Sequence, residues 1–102
     1  MAKTTAEQVL DLHAKLGTQA YNLMMAKQAD YGKDGDPLAN FRLAENLGVD
    51  PRFGVLLRMM DKMSRLSTSV TKGLANESRT DSILDIINYA VIFEALSREK
   101  DG

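Results

Sequence analysis

The stretch Ile83-Leu84-Asp85-Ile86-Ile87-Asn88-Tyr89-Ala90-Val91-Ile92-Phe93 is apolar on almost every side, yet it carries Asp85 and Asn88, and Asp81 stands one turn before Asp85. A run of this length without glycine or proline reads as a helix, and a helix that is apolar all round is a buried one. At about 100° per residue, Asp81, Asp85 and Asn88 fall on one stripe. Burying a carboxylate costs on the order of several kcal/mol unless a cation, a metal or hydrogen bonds compensate it. The cheaper arrangement is a cleft between helices with the acids along its wall. The fold is therefore expected to carry an inward-facing acidic site.

Working outward from that helix, Ser78 and Asp81 form a capping signature at its start, which predicts a helix from about Arg79 to Ser97 and a fraying polar tail. Upstream, Asp50-Pro51 places an N-cap before a proline at the first helical position. The helix it opens is expected over about Pro51 to Thr71, ending near Gly73, with Val55, Leu56, Met59, Met60, Met63, Leu66 and Val70 on its core face. Asp36-Pro37 repeats the device and starts a short helix that Gly48 should stop. Thr4 with Glu7 is a capping-box signature for a first helix running to about Tyr31, whose stripe carries Val9, Leu12, His13, Leu16, Ala20, Leu23, Met24 and Lys27. Gly17 within it is placed to admit a neighbouring backbone. Gly32 to Asp36 and Lys72 to Thr80 are loops. No strand pattern or internal repeat intervenes, so the expected fold is all-α: one domain over residues 1–102, a compact bundle of three long helices and one short helix.

With 102 residues, 44% of them hydrophobic and 26% charged, the chain has material for one core. A domain this small buries a modest share of its surface, which makes a homo-oligomer the expectation. A net charge of -1 gives no broad positive field for duplex phosphates, so nucleic acid is not an expected partner. The absence of cysteine excludes thiol catalysis and cysteine-ligated zinc, and suits the cytoplasm. No segment approaches the roughly 20 apolar residues that cross a bilayer, and no membrane partner is expected.

On the third helix Arg58, Asp61, Lys62 and Arg65 stand at i, i+3, i+4 and i+7. Alone, such a mixed stripe reads as a solvated face. Opposite the acids of the last helix it reads in two ways: a structural ion-pair network, or a site in which carboxylates hold a hard divalent cation and the bases hold phosphates. Magnesium takes oxygen ligands, one or two of them carboxylates, with waters and substrate phosphates completing the shell. Lys27 ends the first helix on its apolar stripe, either as a snorkelling lysine or as part of the site, and Asp30 and Tyr31 beside it could bond a sugar, a base or Lys27 itself. Phe41, after Asn40, reads as a core aromatic or a stacking surface for a base. His13 reads as a core or interface histidine and the methionines as adaptable packing.

The set Lys27-x-x-Asp30-Tyr31-Gly32, Asn40-Phe41, Asp61-Lys62-x-x-Arg65-Leu66 and Asp81-x-x-x-Asp85-x-x-Asn88-Tyr89-Ala90 resembles the nucleotide modification associated domain 1 family over about residues 20 to 95. Those phage and bacterial domains look related to the all-α MazG-like nucleotide pyrophosphohydrolases, which use magnesium on helix carboxylates to split nucleoside triphosphates between the α and β phosphates. The resemblance implies a phage-type nucleotide-binding protein, with magnesium-dependent pyrophosphohydrolysis as its expected reaction. Asp61, Asp81 and Asp85 would hold Mg2+, with Asp61 and Asp85 catalytic. Lys27, Arg58, Lys62 and Arg65 would hold phosphates, and Asn88 and Tyr89 would orient ligand or acids. The Glu-Glu-x-x-Glu and Glu-x-x-Asp clusters of MazG-like enzymes are both missing. Fewer carboxylates among more bases suit holding phosphates better than activating a water. A second expectation is thus a binder that sequesters a nucleotide or a nucleotide-derived immune signal. A third is a structural helical interaction protein whose acids merely pair with Arg58, Lys62 and Arg65.

Overall fold

A computed structural model of the chain describes residues 2–30, 36, 38–72 and 78–102, with 29 and 30 as backbone alone. It is all-helical: α1 spans Ala6–Asp30, α2 Ala39–Arg42 with a 3-10 turn over Leu43–Leu47, α3 Pro51–Thr71 and α4 Arg79–Asp101. No described helix is long and apolar enough to cross a membrane.

The helix ends follow from local chemistry. Asp50 caps α3, its carboxylate accepting from the Arg52 N–H at 3.0 Å, with Pro51 behind it filling a position that needs no donor. Ser78 and Asp81 close a reciprocal capping box on α4: the Asp81 N–H donates to Ser78 Oγ at 3.0 Å and the Ser78 N–H donates to an Asp81 carboxylate oxygen at 3.3 Å. Gly48 ends the 3-10 turn at φ 72°, a left-handed conformation that glycine adopts without a Cβ penalty. The α1 box is shifted by one residue from the expected Thr4 and Glu7. Thr5 and Gln8 make it, through Thr5 N–H to Gln8 Oε1 at 2.9 Å and Gln8 N–H to Thr5 Oγ1 at 3.1 Å. Both pairs satisfy the same sequence rule, and spacing alone does not choose between them. At the other end α4 continues to Asp101 where fraying was expected after Ser97, with Arg98 reaching back to Glu94 at 3.0 Å.

Helix α4 is the centre of the arrangement. Lys62 meets Asp85 and Arg52 meets Ser97, so α3 runs antiparallel to α4. Ala20 meets Asn88 and Lys27 meets Asp85, so α1 also runs antiparallel to it. Among the described residues α1 packs against no helix but α4. Its buried point is Ala20, 1% exposed, whose small side chain lets the two backbones approach. The stripe toward the start of α1, Val9, Leu12 and His13, is exposed, which corrects the core placement expected for His13. Gly17 faces open space, not a neighbouring backbone. The result is elongated, 51 × 28 × 27 Å, where a compact bundle was expected.

Arg42 locks the short helix onto the far end of α4. Its guanidinium donates to both carboxylate oxygens of Glu99, at 2.8 and 2.9 Å, and to Asp36 at 2.6 Å. Phe41 meets Tyr89 edge to face, with ring centroids 6.2 Å apart. These two contacts hold the short helix across one side of α4, and the space beneath it becomes a pocket.

Candidate functional site

The pocket has a volume of about 590 Å³ and lies where all four helical segments converge. α1 contributes Met24, Lys27 and Gln28, the short helix and its turn Leu38, Asn40, Phe41 and Ala44, α3 Gly54, Leu57 and Arg58, and α4 a face from Asp85 to Ala95. Its two ends differ in chemistry. Because α3 and α4 are antiparallel, Arg58 comes level with Tyr89, and Lys27 lies level with Asp85, so the charged groups gather around the Asp85–Tyr89 turn. The next two turns of α4 present Ile92 and Ala95 opposite Gly54, Ala44 and Phe41, an apolar end.

Asp85 is the acid that reaches this pocket. Its carboxylate takes Lys62 Nζ at 3.0 Å and Lys27 Nζ at 3.9 Å. Asp85 and Lys62 are 18% and 16% exposed in their side chains, so their pairing is partly shielded from water, whereas Lys27 is 57% exposed and adds less. Asn88 is buried and donates from Nδ2 to the Ala20 carbonyl at 3.1 Å, pinning α1 to α4 beside the pocket. Arg58 lines the pocket and makes no ion pair among the described residues. Among the described residues the polar end thus sets Lys27 and Arg58 on the pocket wall, with Lys62 paired to Asp85, against the one carboxylate of Asp85, and the described charges there sum to positive.

The other acids are not gathered here. Asp81 is exposed and occupied by the α4 capping box. Asp61 is 61% exposed and pairs with Arg65 at 3.7 Å along α3, and neither residue lines the pocket. Among the described residues no three histidine, aspartate or glutamate side chains come together in a way that could hold a metal ion. One carboxylate already engaged by two ammonium groups is a poor donor set for magnesium, which needs oxygen ligands free of competing cations. The expected ligand trio of Asp61, Asp81 and Asp85 does not fit that ion. Tyr31 and the side chain of Asp30 lie outside the described residues.

Several pocket residues were not singled out by sequence reasoning: Met24 and Gln28 in that role, Leu57, Ile92 and, most tellingly, Gly54. A glycine inside an otherwise regular helix signals a close neighbour, and a Cβ at Gly54 would stand 3.7 Å from Phe41 Cδ1. That signal was legible and marks where the short helix approaches α3. No family model, curated protein or solved structure matches this chain.

Proposed function

We propose that this chain binds a nucleotide or a nucleotide-derived small molecule and holds it without cleaving it. The observation that carries this reading is the division of one pocket into a cationic end and an apolar, aromatic-walled end. A phosphate-bearing ligand with a flat ring has those two halves in the same order. Its anionic group would meet Arg58 and Lys27, and its ring would lie along Phe41 toward Ile92 and Ala95, with Tyr89 at the boundary between the two ends, where its hydroxyl offers a hydrogen bond. The resemblance to nucleotide modification associated domains favours the same ligand class.

Cleavage finds less support. Splitting a triphosphate with magnesium needs carboxylates that converge on the ion and a base that activates water. Asp85, the acid at the pocket, is neutralised by lysines, and Asp61 and Asp81 point their charges elsewhere. The reading as a purely structural helical protein has one observation in its favour, the same Asp85–Lys62 pair. It gives no role to Arg58 or to the hollow beside it.

Titration calorimetry with a panel of nucleoside mono-, di- and triphosphates and cyclic nucleotides separates these readings. Binding is expected for at least one of them, weakened about tenfold to a hundredfold by Arg58→Ala, the loss of one charge-assisted hydrogen-bonding group. Absence of heat with every nucleotide would leave the structural reading standing. Binding that is indifferent to Arg58→Ala and Lys27→Ala would move the ligand away from this pocket.

A further inference from the structure

Helix α3 carries a second apolar stripe that the described residues leave largely exposed, only its first turns bordering Phe93 of α4. Taking Val55, fully buried, as the direction of α4, the residues Phe53, Leu56, Met60, Met63, Ser67 and Val70 lie on the flank turned away from it. The five apolar members are 61%, 39%, 63%, 58% and 83% exposed. With Ser67 included, the six positions are separated by three, four, three, four and three residues, the repeat by which one helix seats its side chains between those of another. No charged residue interrupts the stripe.

We propose that this stripe is the interface between two copies of this chain, with the two α3 helices antiparallel about a twofold axis passing between Met60 and Met63. The first support is area. A monomer of 11.3 kDa is expected to expose about 5,700 Å², while this chain exposes 7811 Å². The surplus, to which the exposed apolar residues of α1 also contribute, exceeds the roughly 800 Å² per partner that a standard interface removes from water. The radius of gyration agrees, at 15.9 Å against about 13 Å for a compact chain of this length.

The second support is self-complementarity. An isologous contact requires that residue i meet residue j while j meets i. The stripe's spacing reads the same from either end, so an antiparallel copy sets Phe53 opposite Val70, Leu56 opposite Ser67 and Met60 opposite Met63. Each large residue then faces a smaller one and the central methionines face each other, which keeps the helix separation even along the contact. A parallel copy would put Phe53 on Phe53 and Ser67 on Ser67, wide at one end and hollow near the other.

Sedimentation equilibrium of the full chain at micromolar concentration is expected to give twice the 11.3 kDa of one copy. Met60→Lys and Met63→Lys are each expected to bring it down to the mass of one copy with the helical circular dichroism retained. A wild-type chain that sediments as a single copy overturns the proposal, as does a dimer that survives both lysine variants. Register is read independently of folding losses, because the chain has no cysteine of its own. Mixing Phe53→Cys chains with Val70→Cys chains under mild oxidation should yield mainly the mixed disulfide. A predominance of like-with-like disulfides, or no disulfide at all, contradicts the antiparallel interface.

Discussion

The two apolar faces of α3 differ in one respect that explains the rest. The inner face, around Val55, Met59 and Leu66, lies against α4 and includes a charged residue, Lys62, held by Asp85 at 3.0 Å. The outer face, from Phe53 to Val70, is as apolar but carries no charge and, among the described residues, stays largely exposed, with Phe53 and Leu56 bordering Phe93 of α4 at one end. A charge is tolerable on the covered face because a fixed partner stands opposite. A face closed by a second copy about a twofold axis would set any central charge near its own like, and there the stripe has only methionine. Hydrophobicity alone does not tell a core from an interface; the placement of polar residues within each face does.

The largest test of that contrast is a matched pair of substitutions. Val55→Asp buries a carboxylate without a partner and is expected to cost about 4 kcal/mol or more in urea unfolding. Met60→Asp, at a position 63% exposed, should change stability by less than about 0.5 kcal/mol when wild type and variant are compared at a chain concentration too low for the wild type to dimerise. Equal effects would mean that the faces are not distinct.

Next in size, Lys62→Met leaves Asp85 with the more distant Lys27 and is expected to cost about 1 to 2 kcal/mol, less than a fully buried pair because both side chains retain some water contact. Arg98→Ala, which breaks a 79% exposed pair with Glu94, serves as the control and should stay within about 0.5 kcal/mol.

The bounds of α3, the start of α4, the all-α class and the inward face of Asp85 were legible in the sequence, because caps and apolar periodicity are local signals, whereas the α1 cap and the end of α4 were placed one and four residues off. The full acidic site was not. Asp81, Asp85 and Asn88 do share one azimuth on α4, but azimuth says nothing about depth along the axis. Asp81 sits in the first turn, at the mouth of the bundle, where the unpaired Ser78 N–H claims its carboxylate. On α3 the charged stripe is about 100° wide at the helical repeat, so Lys62 at one edge turns toward α4 while Asp61 at the other turns to water. Which edge faced inward depended on where α4 would lie, a tertiary fact that i, i+3, i+4 spacing does not contain.

A smaller effect is expected at Gly54, where alanine should stabilise the chain by up to about 1 kcal/mol through helix propensity, since its Cβ would meet Phe41 at ordinary contact distance. A loss instead would show that the short helix sits closer to α3 than 3.7 Å from that Cβ allows.

At neutral pH the acid groups around the short helix and the α3 cap contribute no slope. The Arg52 side chain, then its backbone N–H, hold Asp50 down to about 2. The Leu38 N–H, then Arg42, lower Asp36, and Arg42 lowers Glu99. A depressed carboxyl stabilises the folded state above its unfolded pKa, ordinarily 3.8 for aspartate and 4.5 for glutamate, and loses that contribution as pH falls through the folded value. Melting temperature should therefore be insensitive to these groups between pH 7 and about 5 and drop toward pH 2. Arg42→Ala should flatten part of that drop by returning Asp36 and Glu99 toward their ordinary values. An unchanged acid limb in that variant would separate the short helix from the stability of α4.

The central claim is that the hollow between these helices holds a phosphate-bearing ligand intact. Phosphorus NMR of a nucleoside triphosphate that binds in the calorimetric panel, recorded with the protein and magnesium over several hours, tests it most directly. Shifted or broadened α, β and γ resonances are expected, returning unchanged when the protein is removed. Appearance of a pyrophosphate or inorganic phosphate signal that grows with wild-type protein and not with Asp85→Ala would contradict it.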